Sequence, residues 1–229
     1  FERDFSGSIS NNVFAGGVRG DLKLDGATFN KNAILNGAPS NPDYTSYARL
    51  NFYNYNENSN PNFTKNLFSG NTNTSIEQSS GSYGQQGLTT SLNNIINNTG
   101  FTVRAGGENS SMENNWWGTT TESEIQSIIY DWNDDPSLGF IDYDPYLTAP
   151  STLAPVSPPK NVVKQSTTGG IALSWAANPE ADVSGYKIYY GTYNGYSFAS
   201  SVDVGNVTSY TLSGASTSDT IAVTAYDPS

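Results

Sequence analysis

An asparagine followed by two apolar residues recurs five times within the first 120 residues, and no other pattern limits the possible folds of this chain so strongly. The copies start at Asn12, Asn32, Asn66, Asn94 and Asn115, at intervals of 20, 34, 28 and 21 residues. Four copies are also preceded, three places earlier, by an apolar residue: Ile9, Phe29, Phe63 and Met112. Repeats of about this length are typical of solenoids, in which each short unit buries its apolar face against its neighbours.

The same pattern predicts where the repeated residues lie. Each pair of apolar residues would enter a short strand, and each asparagine would lie at a turn, where its side chain tolerates left-handed backbone geometry. Neighbouring strands are about 4.8 Å apart, so equivalent asparagines would lie above one another as a ladder of amides. The two longer intervals, 32–66 and 66–94, would contain loops that project from the stack.

The composition fits an all-β chain with many turns. Charged residues make up 14% of the sequence, against a soluble average of about 25%, and the 13% of aromatic residues argues against disorder. The net charge of -11 argues against nucleic acid and anionic membrane surfaces, which attract basic proteins. No apolar run is long enough to span a membrane. The chain has no cysteine or histidine, and its polar texture favours an extracellular or cell-surface location.

One helix is predicted near residues 121–135. Thr121 and Glu124 fit a capping box, and four apolar residues then recur at helical spacing: Ile125, Ile128, Ile129 and Trp132. Because the open edge of a stacked sheet recruits other strands, a short helix laid across that edge is a common protection. We therefore expect this helix to close the end of the solenoid.

Residues 115–147 resemble the C-terminal end of right-handed parallel β-helix proteins of bacterial surfaces. The resemblance rests on three segments: Asn115-Trp116-Trp117-Gly118-Thr119, Asp134-Asp135-Pro136 and Asp142-Tyr143-Asp144-Pro145-Tyr146-Leu147. It implies that residues 1–147 form a right-handed parallel β-helix with a short C-terminal capping helix. It implies no particular activity.

A proline-rich linker at 148–159 precedes a second predicted domain at 160–229. Four of the twelve linker residues are prolines, which predicts an extended and fairly stiff segment. Alternating apolar and polar residues then indicate the short strands of a β-sandwich. The apolar faces are Ile171, Leu173 and Trp175; Tyr186, Ile188 and Tyr190; and Ile221, Val223 and Ala225.

The second domain resembles a fibronectin type III domain. The matching segments are Pro158-Pro159, Trp175, Gly185 to Tyr190, Ser209-Tyr210-Thr211-Leu212 and Val223 to Asp227. Asp219 stands where such domains usually have a tyrosine, and the sequence stops where their seventh strand is expected. We therefore expect the boundaries to differ from natural domain ends, and an open sheet edge that accepts a strand from another copy.

Parallel β-helices include polysaccharide lyases and hydrolases, but the charged residues here lack the pairs that such reactions need. Glycoside hydrolysis usually needs two carboxylates about 5 to 10 Å apart, and no two acidic residues share the repeat phase in neighbouring units. Of the basic residues, Arg19 and Lys23 lie near acids, at Asp21 and Asp25, and surface charge explains this group better. Arg19-Gly20-Asp21 also matches an integrin-recognition tripeptide, which arises easily by chance.

Three groups of residues are candidate sites. The densest acidic group offers hard oxygen ligands to calcium: Asp131, Asp134, Asp135, Asp142 and Asp144. Glu180 and Asp182 form a smaller pair of the same kind. Tyrosines flanked by amides suit stacking against sugars, and the carbohydrate candidates are Tyr53, Tyr55, Tyr189, Tyr193 and Tyr196. The alternative explanations are solvated turns for the acids and ordinary sheet packing for the tyrosines.

The sequence thus supports two hypotheses of different classes. The first is a non-enzymatic extracellular module, structural or adhesive, of a larger secreted or cell-surface protein, which self-assembles by strand donation or binds other surface proteins or glycans. The sequence indicates no cofactor other than calcium. The second is an accessory or carbohydrate-binding part of a polysaccharide lyase or hydrolase.

Overall fold

The computed structural model describes residues 7–16, 20–23, 27–36, 50–53, 62–72, 76–78 and 87–228, with backbone alone at 20–23 and 50–53. These residues form an all-β structure, as the composition predicted. Apart from one six-residue helix, the regular elements of this part of the chain are strands. The chain divides into two compact units, Phe1–Pro155 and Val156–Ser229. No helix among the described residues is long and apolar enough to cross a membrane.

The strands of the first unit alternate among three parallel sheets. In chain order the elements are β1 (Ser8–Ser10), β2 (Val13–Ala15), β3 (Gly20–Lys23), β4 (Thr28–Asn30), β5 (Ala33–Leu35), β6 (Leu50–Tyr53), β7 (Asn62–Thr64), β8 (Leu67–Ser69), β9 (Ile76–Gln78), β10 (Thr90–Ser91), β11 (Asn94–Ile96), β12 (Val103–Arg104), β13 (Ser110–Ser111), α1 (Glu122–Ser127), β14 (Ile129–Tyr130) and β15 (Ile141–Asp142). The sheets are β1-β4-β7-β10, β2-β5-β8-β11 and β3-β6-β9-β12-β14, and β13 pairs with β15. The chain passes through all three sheets in each of the first four turns of the stack.

The register of the sheets places similar apolar residues above one another. In the first sheet Ile9, Phe29 and Phe63 are aligned, and the Phe29 and Phe63 rings stack with centroids 5.4 Å apart and planes 9° apart. In the second sheet Ile34 and Phe68 are aligned. Both sheets point these residues into one core cluster. Each turn therefore buries its apolar residues against the turns beside it.

Five asparagines form a column, here called the amide ladder: Asn12, Asn32, Asn66, Asn93 and Asn115. In each step the Oδ1 atom of the later residue accepts two hydrogen bonds from the earlier one, from its backbone N–H and its side-chain Nδ2. Between Asn66 and Asn93 these bonds are 2.8 and 2.9 Å long. Asn66 Nδ2 also donates to the carbonyl of Phe29, one turn away, at 3.0 Å. The predicted column of amides is present.

One predicted member of the column is wrong. The ladder uses Asn93, whereas Asn94 lies in β11 opposite Leu67. The triplet pattern selects Asn94 because two isoleucines follow it, but the register places the ladder residue one position earlier. Thr90, three places before Asn93, then aligns with Phe63. The true intervals are 20, 34, 27 and 22 residues.

Left-handed backbone occurs one residue before each ladder asparagine, and not at the asparagine as predicted. These residues have φ between 52° and 61°: Asn11, Lys31, Lys65, Leu92 and Asn114. For lysine and leucine this region costs about 1 to 2 kcal/mol per residue. The hydrogen bonds of the following asparagine offset that cost, because they tie the corner to the turns of the stack before and after it.

A shorter amide pair lies at a second corner, between the second and third sheets. The backbone N–H and the Nδ2 group of Asn71 donate to Asn98 Oδ1 at 2.9 and 3.1 Å. Asn71 Nδ2 also donates to the carbonyl of Ile34 at 3.0 Å. Left-handed residues precede both asparagines, at Gly70 and Asn97. The same device thus holds two corners of the stack.

The predicted helix near 121–135 is much shorter in the structure. α1 ends at Ser127, Ile129 and Tyr130 form a strand of the third sheet, and Trp132 is 53% exposed. The helical spacing is misleading because a short helix with buried Ile125 is followed directly by a strand with buried Ile129. A single apolar stripe and a helix–strand junction have the same spacing in sequence.

The predicted capping box is also absent from α1. Thr121 is the N-cap residue, but its side chain makes no capping hydrogen bond. Instead the hydroxyl of Thr119 donates to the carboxylate of Glu124 and accepts from the Thr121 N–H at 3.1 Å. The start of the helix is therefore fixed from two residues further back.

A last partial turn ends the amide ladder. The Leu147 N–H donates to the Asn115 carbonyl at 2.9 Å, the same bond that Trp116 makes to Asn93 one turn earlier. Tyr146 therefore occupies the next ladder position and has no amide with which to continue it. Its hydroxyl donates to the Thr120 carbonyl at 3.1 Å.

The predicted linker at 148–159 is bound to the protein near both its ends. Within the first unit, Ser151 N–H donates to Asn94 Oδ1 at 2.8 Å, and Asn94 Nδ2 donates to the Ser151 carbonyl at 3.1 Å. Within the second unit, the N–H and hydroxyl of Ser157 donate to the Glu180 carboxylate at 2.9 and 3.1 Å. The proline content predicts stiffness, but it cannot show these distant partners.

Residues 156–228 form two antiparallel sheets around one core. The strands are β16 (Val163–Thr167), β17 (Gly170–Ser174), β18 (Gly185–Tyr193), β19 (Phe198–Gly205), β20 (Ser209–Leu212) and β21 (Ala222–Tyr226). The sheets are β16-β17-β20 and β19-β18-β21. Both contribute to the core of Ile171, Leu173, Trp175, Tyr186, Ile188 and Leu212. The alternation predicted at 171–175 and 186–190 marks the core-facing positions.

Replacing Asn66 by alanine tests how much stability the amide ladder supplies. The Asn66 side chain is fully buried and takes part in five hydrogen bonds. We expect Asn66→Ala to lower the free energy of unfolding by about 3 kcal/mol, because it removes the acceptor of the buried Asn32 backbone N–H and the side-chain donor to Asn93 Oδ1. Urea unfolding followed by circular dichroism measures this change.

Asn12→Ala is the matched control, because Asn12 lies at the exposed end of the ladder. We expect this variant to lose less than about 1 kcal/mol. Equal losses in the two variants would contradict a stabilising role for the buried ladder.

Candidate functional site

Asp131, the first residue of the predicted calcium site, closes a loop of the protein itself. Its side chain is 2% exposed. Oδ1 accepts a hydrogen bond from the Asn133 N–H at 3.0 Å, and Oδ2 accepts one from the Ile141 N–H at 2.9 Å. The Oδ2 bond therefore joins the two ends of the 131–141 loop, and the Oδ1 bond fixes the turn at its start. A buried aspartate is suited to this position because it can accept from two backbone amides at once.

The other four acids of that candidate site are held in local turns or exposed. Asp135 Oδ1 accepts from the N–H and hydroxyl of Ser137 at 3.0 and 2.8 Å, and these bonds, with Arg104 nearby, lower the pKa of Asp135. Asp134, Asp142 and Asp144 are exposed. Among the described residues, no group of three acidic, histidine or cysteine side chains is placed to hold a metal ion. The structure does not bring the predicted calcium ligands together.

Two carbohydrate candidates and the tripeptide are only partly covered by the structure. Tyr53 is the last residue of β6, and its backbone alone is described. Tyr55 lies outside the described residues, as does Arg19 of the Arg19-Gly20-Asp21 tripeptide. These assignments stay predictions.

The other three tyrosines lie on the β18–β19 hairpin, where a phenylalanine joins them. The Phe198 ring centroid is 6.2 Å from that of Tyr189 and 4.8 Å from that of Tyr193. Tyr193 is 49% exposed. Tyr189 lies between Ile188 and Tyr190, which both pack on the core, so its own ring lies on the other face of the strand. The rings of Tyr189, Phe198 and Tyr193 therefore form one contiguous group.

The turn of this hairpin is held by Asn194. Its Oδ1 atom accepts from the N–H of Tyr196 and Ser197 at 3.0 and 2.9 Å. The Tyr193 hydroxyl donates to the Gly195 carbonyl at 2.8 Å. Tyr196 is 97% exposed. The turn therefore holds a fully exposed ring beside the three packed ones, and we call residues 189–198 the hairpin tip.

A polar pair lies further along the same sheet. The Tyr226 hydroxyl donates to both carboxylate oxygens of Asp203, at 3.1 and 3.0 Å, and Lys187 Nζ lies 5.7 Å from the Tyr226 ring centroid. The Gly205 N–H and the Tyr226 hydroxyl, with a smaller effect of Lys187, lower the pKa of Asp203. The hydrogen bond to Asp203 in turn raises the pKa of Tyr226. These charges balance each other on the surface.

Glu180 and Asp182, the smaller acidic pair, have different environments. Glu180 is 4% exposed, and its carboxylate accepts both bonds from Ser157. Asp182 Oδ1 is buried and has no hydrogen-bond partner among the described residues. Partial burial, and then the negative charges of Asp227 and Glu180, raise the pKa of Asp182. Glu180 therefore serves as a hydrogen-bond acceptor within the fold. The ionised form of Asp182, in contrast, is disfavoured by burial and by the neighbouring negative charges.

The first unit carries a polar row on the outer face of its third sheet. Glu77, Arg104 and Tyr130 align across neighbouring strands. Arg104 Nε lies 3.9 Å from Glu77 Oε1, and its Cζ atom lies 4.4 Å from the Tyr130 ring centroid. Phe101 contacts the same ring edge-to-face at 4.9 Å. A search for acids near Arg104 in sequence misses Glu77, because the partner lies one turn away.

No protein-family model matches this chain, and no match is found among curated proteins or solved structures. The function must therefore be derived from the fold and its surface. Among the candidate site residues that the structure describes, Tyr189 and Tyr193 of the hairpin tip are brought together through Phe198. Phe198 was missed in the sequence because it follows the turn and meets Tyr189 and Tyr193 only through strand pairing.

Replacing Asp131 by asparagine distinguishes a loop-closing role from a calcium ligand. Asparagine keeps one acceptor oxygen and turns an amide group towards the second N–H, so we expect a loss of about 2 kcal/mol in the free energy of unfolding. The loss should be the same with calcium and with a chelator. Asp142→Asn, at an exposed position, is the control and should change little. Calcium-dependent stabilisation that Asp131→Asn abolishes would contradict this role.

The raised pKa of Asp182 predicts a pH dependence of the second unit. A raised folded pKa means that stability is fully present below the ordinary value of 3.8 and is lost as the pH rises through the folded value. Asp182→Asn removes this loss. We expect it to raise the melting temperature at pH 7 by about 2 to 4 °C, since the site is partly screened by water.

Calorimetry at pH 7 and at a pH below 3.8 checks this expectation, because the difference from the parent protein should disappear in acid. Asp203→Asn is an instructive comparison. The pKa of Asp203 is lowered, so its charge is favourable in the fold, and its replacement should lower the melting temperature at pH 7. A stabilising effect of Asp182→Asn that persists unchanged in acid would rule out ionisation as the cause.

Proposed function

We propose that this chain is a non-enzymatic structural and adhesive module of a secreted or cell-surface protein. In this proposal the first unit is a right-handed parallel β-helix that serves as a stalk, and the second unit is a fibronectin type III-like domain. Rotation of the strands among three parallel sheets supports the first assignment. Two antiparallel sheets around a common core support the second, since this is the sandwich architecture of that class.

The amide ladder is the observation that carries the proposal. Asn32, Asn66 and Asn93 are buried, and each uses its side-chain donor and acceptor on the neighbouring turns. The repeated polar residues of the first unit therefore serve the stack. In such a solenoid each turn contacts only its neighbours, so the stiffness is distributed along the whole length. A module built in this way is suited to holding another domain at a fixed distance from its attachment.

Self-association is an extension of the same function. Among the described residues β21 pairs with β18 alone, and it is therefore an edge strand in this part of the chain. Its residues, Ala222 to Tyr226, include no charge and no proline, the two features that usually protect an edge. An edge of this kind can accept a further strand through main-chain hydrogen bonds. We propose this edge as the surface through which copies would associate.

Immunogold labelling of the organism that encodes this chain tests the proposed function. With an antibody raised against the purified protein, we expect label on the cell surface or in the extracellular matrix, and sedimentation of the purified protein reports its self-association. In parallel, incubation with a panel of polysaccharides should release no reducing ends. Label confined to the cytoplasm, or sugar release that depends on the protein, would overturn the proposal.

A further inference from the structure

The hairpin tip projects beyond the sheet that supports it. β21 pairs with β18 only from Gly185 to Tyr189, whereas the pairing of β18 with β19 continues to Tyr193 and Phe198. The end of the hairpin is therefore two strands wide. Two-stranded hairpins are at best marginally stable alone, so the ring contacts of Phe198 and the turn bonds of Asn194 have a structural task here. They hold the tip in a fixed shape away from the core.

The tip carries no charge within a strongly acidic protein. No charged residue occurs from Ile188 to Val202, although the chain has a net charge of -11. The nearest charges, Lys187 and Asp203, are opposite each other in the strand pairing. Tyrosine, asparagine, glycine and serine dominate this segment, the composition typical of rigid recognition loops. A charge-free surface with two exposed rings, Tyr193 and Tyr196, is a candidate binding surface.

The tip also offers hydrogen-bonding groups beside its rings. Asn194 Oδ1 is occupied by the turn, but its Nδ2 group has no acceptor among the described residues. The hydroxyl of Tyr196 is fully exposed with its ring. An amide donor and a phenol beside apolar rings can bond hydroxyl groups while the rings contact C–H groups. Sugars present both kinds of group on one molecule.

We infer that the hairpin tip binds an uncharged polysaccharide, with Tyr193 and Tyr196 as the contacting rings and Phe198 as the residue that positions Tyr193. This inference rests on the proposed adhesive function and names its ligand class. Two properties favour a neutral glycan. The chain's net charge repels polyanions. The tip has ten residues, fewer than the roughly 20 to 30 that each side of a stable protein–protein interface contributes.

Affinity electrophoresis of the purified chain tests the inference. The probes are gels that contain a neutral β-glucan, xylan or galactomannan, with polygalacturonate as the charged comparison. We expect at least one neutral polysaccharide to retard the protein. Tyr196→Ala and Tyr193→Ala should each raise the apparent Kd by about threefold to tenfold, the usual effect of losing one exposed ring contact. Tyr193→Phe keeps the ring and should retain most of the binding.

Tyr210→Ala is the matched control, because Tyr210 is an exposed tyrosine of β20 in the other sheet of the same unit. It should bind like the parent protein. Tyr196 makes no ring contact among the described residues, so its replacement tests binding without disturbing the hairpin. Circular dichroism verifies that all variants are folded. Retardation that Tyr196→Ala and Tyr193→Ala leave unchanged would overturn the inference.

Failure of this inference can be distinguished from failure of the proposed function. No retardation by any neutral polysaccharide, or retardation by polygalacturonate alone, would overturn glycan binding. Surface labelling in the same organism would still support the structural role. Cytoplasmic labelling combined with glycan binding would overturn the proposed surface function, while the assignment of the hairpin tip as a glycan-binding surface would stand.

Discussion

A primary amide can donate and accept hydrogen bonds at once, and the first unit depends on this property at every turn. In the amide ladder each asparagine after Asn12 accepts from the turn before it, and each one before Asn115 donates to the turn after it, as Asn66 does towards Asn32 and Asn93. Because these groups are buried, a missing partner would cost more than the net gain of an ordinary hydrogen bond. The ladder also tolerates lysine and leucine in left-handed backbone, at Lys65 and Leu92. The polar corner is thus as constraining as the apolar core.

Periodicity in the sequence is sufficient to predict the stack, the column of amides and the core-facing positions of the second unit. Periodicity fails where two registers fit equally well. Asn93 and Asn94 are adjacent, and only strand pairing with Leu67 decides which of them enters the ladder. It fails again at Ile125 and Ile129, where a helix of six residues followed by a strand has the spacing of one longer helix.

Some surface features can also be identified from the sequence, whereas others depend on strand pairing. Tyr193 and Tyr196 can be identified from the sequence because they are close together in it. Phe198 and Glu77 find their partners through strand pairing, across a hairpin in one case and across a turn of the stack in the other. The five acids that are dense in sequence do not converge, because Asp131 is directed inwards to close a loop while its neighbours face water. Proximity along the chain is a poor guide to convergence where contacts form between strands of neighbouring turns.

Tyr146 limits where turns can be added to the stack during evolution. Bonds within the stack link only adjacent turns, so a duplicated turn that carries its own asparagine would fit between any two existing ones. No turn can be added beyond Tyr146, because the column of amides stops there. Lengthening during evolution would therefore occur by addition of turns within the stack or before Asn12, while the closing segment stays unchanged at its own end.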